Sequence, residues 1–148
     1  MQHLGSVKSL VLQKTTDGWV KLTMKTGKCL SEHREQVMFV EWVHETYPNL
    51  LIYAIPNGGH SSEGMRTKLK AEGMLKGMPD LHIPELNLWI EMKRTKGGVV
   101  SQYQKDVIKR LLEIGHIAVV CYGFVEAKKV LQKALLQSGT GVRRSACP

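Results

Sequence analysis

Asp80, Glu91 and Lys93 bring two carboxylates and an ammonium to two short apolar runs, Leu81-His82-Ile83 and Leu88-Trp89-Ile90, joined by Pro84-Glu85-Leu86-Asn87. If those four residues form a hairpin loop, Ile83 faces Leu88, and stepping outward sets Asp80 opposite Glu91. Alternation then puts His82, Trp89 and Lys93 on the carboxylate face, and Leu81, Ile83, Leu88, Ile90 and Met92 on an entirely apolar one. Like charges facing each other across a ladder are destabilising, with Cβ atoms only ~4.5–5.5 Å apart. A hard divalent cation removes that penalty, because Mg²⁺ commonly takes one or two carboxylates and keeps several waters. The pair is a candidate metal seat.

The surrounding sequence must position that pair. Ser31 is an N-cap for a helix whose apolar positions Val37, Met38, Val40, Trp42 and Val43 recur with helical drift until Tyr47-Pro48-Asn49, and Glu35 falls on or near its buried face. Leu50 to Ile55 reads as a short strand ending at the turn cluster Pro56-Asn57-Gly58-Gly59. The stretch from His60 to Gly77 reads as a basic loop carrying Arg66, Lys68, Lys70 and Lys76, with one short helix over 62–71. Beyond the hairpin, Thr95-Lys96-Gly97-Gly98 is a basic turn, and Ser101 caps a helix running to Gly115. Ile117 to Tyr122 is a continuous apolar strand of the parallel, buried kind, and Phe124 to Leu136 an amphipathic helix. Upstream, Thr15-Thr16-Asp17-Gly18 marks a hairpin between Val7 and Thr26.

These elements predict an α/β fold with a mixed central sheet in αβββαβ order, restriction-endonuclease-like, plus an added N-terminal β-hairpin. The expected organisation is a hairpin elaboration over 1–30, one core over 31–138 and a flexible tail over 139–148. A chain of 148 residues buries roughly two thirds of its unfolded surface, enough for one ordinary domain.

Twenty-one Lys and Arg against 13 Asp and Glu give a net charge of +8, which favours polyanionic partners, nucleic acid first and an anionic membrane surface second. No apolar run approaches the ~20 residues that span a bilayer, and the N-terminus lacks a signal-peptide layout, so the expectation is an intracellular, soluble protein, cytoplasmic or nuclear, with no membrane partner. Cys29, Cys121 and Cys147 have no C-x-x-C spacing, arguing against a disulfide framework or structural zinc. The six His show no H-E-x-x-H spacing and no P-loop sequence is present.

Pro79-Asp80 followed by Glu91-Met92-Lys93 on the next strand resembles the signature of PD-(D/E)XK nucleases. More narrowly, Ala54-Ile55-Pro56-Asn57-Gly58-Gly59, Ala71-Glu72-Gly73, Lys76-Gly77-Met78-Pro79-Asp80, and Ser101-x-x-Gln104 ahead of Leu111 resemble the VRR-NUC branch, over roughly Glu32 to Leu131. The resemblance implies Mg²⁺ or Mn²⁺ held by Asp80, Glu91 and the Met92 backbone carbonyl, with Glu35 completing the metal site. It implies that Lys93 orients or activates water and screens developing charge, and that Gln104 lies beside the centre. It further implies an endonuclease acting on structured DNA, branched and Holliday-junction-like, working as a homodimer.

Several of these residues also have plainer roles. Lys93 can be an ion-pair partner, Glu35 a carboxylate favouring the helix macrodipole, Gln104 a first-turn residue satisfying backbone donors, and Asn57 a turn former. His60 and His82 are more often solvated or packed than catalytic. Arg66, Lys68, Lys70, Lys76, Arg94 and Lys96, with Asn57, are the candidate nucleic-acid contacts; if about six cations met phosphates, log affinity would fall with log salt at a slope of about −5. The rival functions are a catalytically silent DNA-binding module and a sequence-specific restriction-type endonuclease.

Overall fold

The computed structural model describes residues 8–14, 20–26, 29–56 and 62–139. The strands β1 (Lys8–Lys14) and β2 (Val20–Thr26) pair antiparallel as a two-stranded sheet, with Leu12 opposite Leu22. The Asp17-Gly18 turn lies outside the described residues.

The remaining elements run α1 (Glu32–Thr46), β3 (Tyr53–Ala54), α2 (Glu63–Ala71), β4 (Leu81–Ile83), β5 (Leu88–Lys93), α3 (Gln102–Glu113), β6 (Ile117–Tyr122) and α4 (Phe124–Ser138). Their sheet has the order β3-β4-β5-β6. The first two pairings are antiparallel, and β5 pairs with β6 in parallel through the α3 crossover. Among the described residues no helix is long and apolar enough to cross a membrane.

Local chemistry explains the boundaries. Ser31, Ser62 and Ser101 each accept a hydrogen bond from the backbone three residues on, capping α1, α2 and α3. Between β4 and β5, Pro84 opens a single 3-10 turn and Asn87, at φ 46°, closes it by donating its N–H to the Pro84 carbonyl at 3.0 Å. That loop sets the register Ile83 to Leu88, His82 to Trp89 and Leu81 to Ile90. The expected strand over 50–55 contracts to Tyr53–Ala54 because its start is occupied otherwise: Leu50 N–H returns to the Tyr47 carbonyl, and Leu51 N–H goes to the Glu85 carboxylate at 2.9 Å.

Leu81, Ile83, Leu88, Ile90 and Met92 are fully buried in a core with Phe39 and Val43 of α1 and Ala127 and Leu131 of α4. Each such side chain contributes about 1.5–3 kcal/mol of burial. The sheet is therefore anchored through one face by α1 and α4, and the residues alternating with this set must point to the other face.

Candidate active site

Asp80 sits one residue beyond the last β4 pair, and its Oδ2 accepts the Met92 N–H at 2.8 Å. The carboxylate thus takes the place of a ladder partner and is held against β5. In an extended strand a residue's N–H and C=O point to the same side, so the Met92 carbonyl faces the Asp80 side too, while the Met92 side chain is buried in the core.

Glu91 points to the face opposite that core and is nearly inaccessible, at 1% exposure. Its Oε1 accepts hydrogen bonds from the Lys93 ammonium, two residues along the same strand, and from the Gln104 amide in the first turn of α3. The contact with Gln104 shows that α3 covers this face. Gln104 is held for the task by a capping box, since its Oε1 accepts the Ser101 N–H at 2.9 Å while Ser101 Oγ accepts the Gln104 N–H. One side chain thus ties the start of α3 to the buried carboxylate.

Glu91 Oε2 is buried without a hydrogen-bond partner among the described residues. Burial, and after it the charges of Asp80 and Glu32, outweigh the Lys93 hydrogen bond and raise the Glu91 carboxyl to about 7. Burial alone would lower Lys93, but its hydrogen bond to Glu91 and the charges of Glu91, Glu32 and Asp80 hold the ammonium above its ordinary value. Three carboxylates surround one ammonium, an excess of negative charge that a cation would neutralise. Among the described residues no three His, Cys, Asp or Glu side chains are grouped to hold a metal by themselves. An ion here would rest on two carboxylates, a carbonyl and water, the pattern suited to a hard cation.

The helical carboxylate beside Lys93 is Glu32, whose Oε1 lies 3.6 Å from the ammonium. Glu35, one turn further along α1, is engaged elsewhere. Its Oε2 accepts the Phe124 N–H at 2.7 Å and its Oε1 the Thr95 hydroxyl at 3.0 Å. Gly123 makes room for that arrangement: a Cβ there would stand 2.9 Å from Thr95 Oγ1 and 3.3 Å from Glu35 Oε1. Glu35 thereby caps α4, which has no side-chain cap from its own N-cap residue. The alternative signal was available, since Glu32 and Glu35 are three residues apart and share a helix face.

His82 is a packed ring. Its Nδ1 pairs with the Tyr53 hydroxyl at 2.7 Å, and it stacks on Trp89 at 3.8 Å between centroids. Trp89 in turn donates its indole N–H to His116 at 3.1 Å. Burial, then the His116 charge, keep the His82 imidazole below its ordinary pKa.

The expected cationic contacts are all on the surface. Arg66, Lys68 and Lys70 project from α2, none of whose residues is buried. Lys68 lies 3.9 Å from Glu72. Lys76 is exposed and stands over the Tyr103 ring. Exposed Arg94 donates to the Gly97 carbonyl at 3.2 Å, and Lys96 lies in the same turn. Asn57 and His60 lie outside the described residues.

No family model matches the chain, and no curated protein matches it significantly. A solved structure described as a "VRR_NUC domain protein" is similar to it, with a TM-score of 0.61 and 25% sequence identity, over 74% of this chain and 91% of that one.

Proposed function

We propose that this chain, with the fold of a VRR-NUC domain, is a divalent-metal-dependent endonuclease that hydrolyses phosphodiester bonds in branched DNA of the Holliday-junction kind. The observation carrying this reading is the Glu91 carboxylate, buried with one oxygen unpartnered among the described residues and crowded by the charges of Asp80 and Glu32. A purely structural pair would be satisfied on both oxygens, because an unpaired buried polar atom is costly.

Asp80, Glu91 and the Met92 carbonyl are the groups that would hold Mg²⁺ or Mn²⁺, with Glu32 beside them. Such an ion supplies Lewis-acid polarisation of a phosphoryl oxygen and acidifies water. The protein's own groups do the rest. Met92 N–H fixes the Asp80 carboxylate, and Gln104 fixes Glu91 through Oε1, while Oε2 has no hydrogen-bond partner among the described residues. The Lys93 ammonium, kept charged by its acidic neighbours, counters negative charge that develops on the phosphoryl group. Exposed Arg66, Lys68, Lys70, Lys76, Arg94 and Lys96 supply sequence-independent attraction for the DNA backbone.

Symmetric cutting of a four-way junction requires two such sites, and the described residues carry one, so the active species is a homodimer. Incubation of branched, flapped and linear DNA with Mg²⁺ or Mn²⁺ tests the reading. Cleavage by the wild type, and none by Asp80→Ala, Glu91→Ala or Lys93→Ala with binding in EDTA retained, is expected. Binding without cleavage would mark a DNA-binding module, and cutting at one defined sequence regardless of branching would mark a restriction-type enzyme.

A further inference from the structure

Tyr103 is a large aromatic side chain left 55% exposed in the first turn of α3, immediately before the Gln104 that bonds to Glu91. A lone exposed ring is ordinary on a protein surface. This one is built into its position. Lys76, from the loop leading into β4, holds its ammonium 3.9 Å from the ring centroid. The loop is fastened to the same residue through Gly77, at φ 89°, where a Cβ would stand 2.6 Å from the Tyr103 carbonyl carbon and oxygen. Only glycine permits that approach. Two elements are thus clamped together so that a cation and an aromatic face lie side by side at the edge of the carboxylate centre.

Side chains at adjacent helix positions diverge by about 100°, so Tyr103 flanks the centre that Gln104 faces. A strand whose phosphate reaches Glu91 and Lys93 would carry a neighbouring base past the Tyr103 ring. We propose that Tyr103 is a base-stacking residue for DNA with unpaired nucleotides next to the scissile phosphate, with Lys76 exchanging the ring for a phosphate of the same strand. This rests on the nuclease reading above and narrows its substrate to DNA that is single-stranded or splayed at the cut. Bases inside a closed duplex are stacked on each other and have no face to offer, whereas an opened branch point or flap does. An aromatic platform beside a cation is the arrangement by which proteins hold unpaired strands without reading sequence.

The test measures binding, in EDTA, of fluorescein-labelled oligothymidine, splayed-arm DNA and blunt duplex by anisotropy. Tyr103→Ala is expected to weaken the first two roughly 5- to 150-fold and the duplex by less than about twofold. Tyr103→Phe and Tyr103→Trp keep the ring and restore affinity. Lys76→Gln lowers the salt slope for the single strand by about 0.7. On splayed DNA carrying one abasic nucleotide, a single position near the branch abolishes the difference between wild type and Tyr103→Ala. Equal losses on duplex and single strand, no loss at all, or an unrescued Tyr103→Phe overturns the proposal. Wild type that shows this ring dependence yet cuts no DNA with Mg²⁺ or Mn²⁺ supports the stacking role and refutes the nuclease reading alone.

Discussion

Replacing Glu91 with glutamine keeps the shape of the side chain and removes the charge that burial opposes. The folded protein raises this carboxyl from 4.5 to about 7, so it binds a proton more tightly folded than unfolded. Its contribution to stability is complete below pH 4.5, declines as pH rises, and is lost once pH passes about 7. At 1.36 kcal/mol per pH unit, that difference amounts to about 3 kcal/mol. For a domain of this size it corresponds to a melting temperature lower by roughly 6–12 °C. In EDTA, wild type and Glu91→Gln should therefore melt close together at pH 4.5, and Glu91→Gln should melt progressively higher by pH 8. His82, lowered by burial and then by the His116 charge, owes nothing to Glu91 and cancels in the difference. Added Mn²⁺ should raise the wild-type melting temperature at pH 8 and leave Glu91→Gln nearly unchanged, because the ion stabilises only the chain that binds it. The assay is scanning calorimetry across pH 4.5 to 8 with and without the ion. A difference that stays flat with pH, or a variant less stable than wild type at pH 8, would refute the electrostatic account of the centre.

Glu35→Ala removes the acceptor for the Phe124 N–H and the Thr95 hydroxyl, and the stranded buried donor costs about 1–3 kcal/mol; urea denaturation should show that loss. Gly77→Ala drives a Cβ against Tyr103 backbone at a positive φ, so a loss of at least about 1 kcal/mol is expected by the same measurement. Burial, then Glu126, push the Cys121 thiol up to about 12. At pH 8 iodoacetamide should label exposed Cys29 in the native protein and reach Cys121 only on unfolding, as peptide mass mapping would report.

Strand alternation made the apolar set from Leu81 to Met92 readable, because a period of two leaves few ways to bury it. The four-residue loop between Ile83 and Leu88 carried the register outward as far as Leu81 opposite Ile90, beside which Asp80 and Glu91 follow in the chain. Ser31 and Ser101 announced their helices because a cap is a local bond between residues three apart. Periodicity was also enough to put Glu35 on the buried side of α1.

The task of Glu35 was not legible, since its partners, Thr95 and Phe124, are 60 and 89 residues away in the chain. Nor was the ion pair between Glu32 and Lys93, or the clamp of Lys76 on Tyr103 across Gly77. Short-range steric and hydrogen-bonding rules act between neighbours in sequence, so the amino acids alone determined the helices, the hairpin and the side of the sheet on which each charge lies. Only packing α1, α3 and α4 around that sheet decided which carboxylate faces Lys93, which one caps a helix, and which oxygen of Glu91 is left without a partner among the described residues. Those outcomes depend on distances between segments that chain connectivity does not constrain.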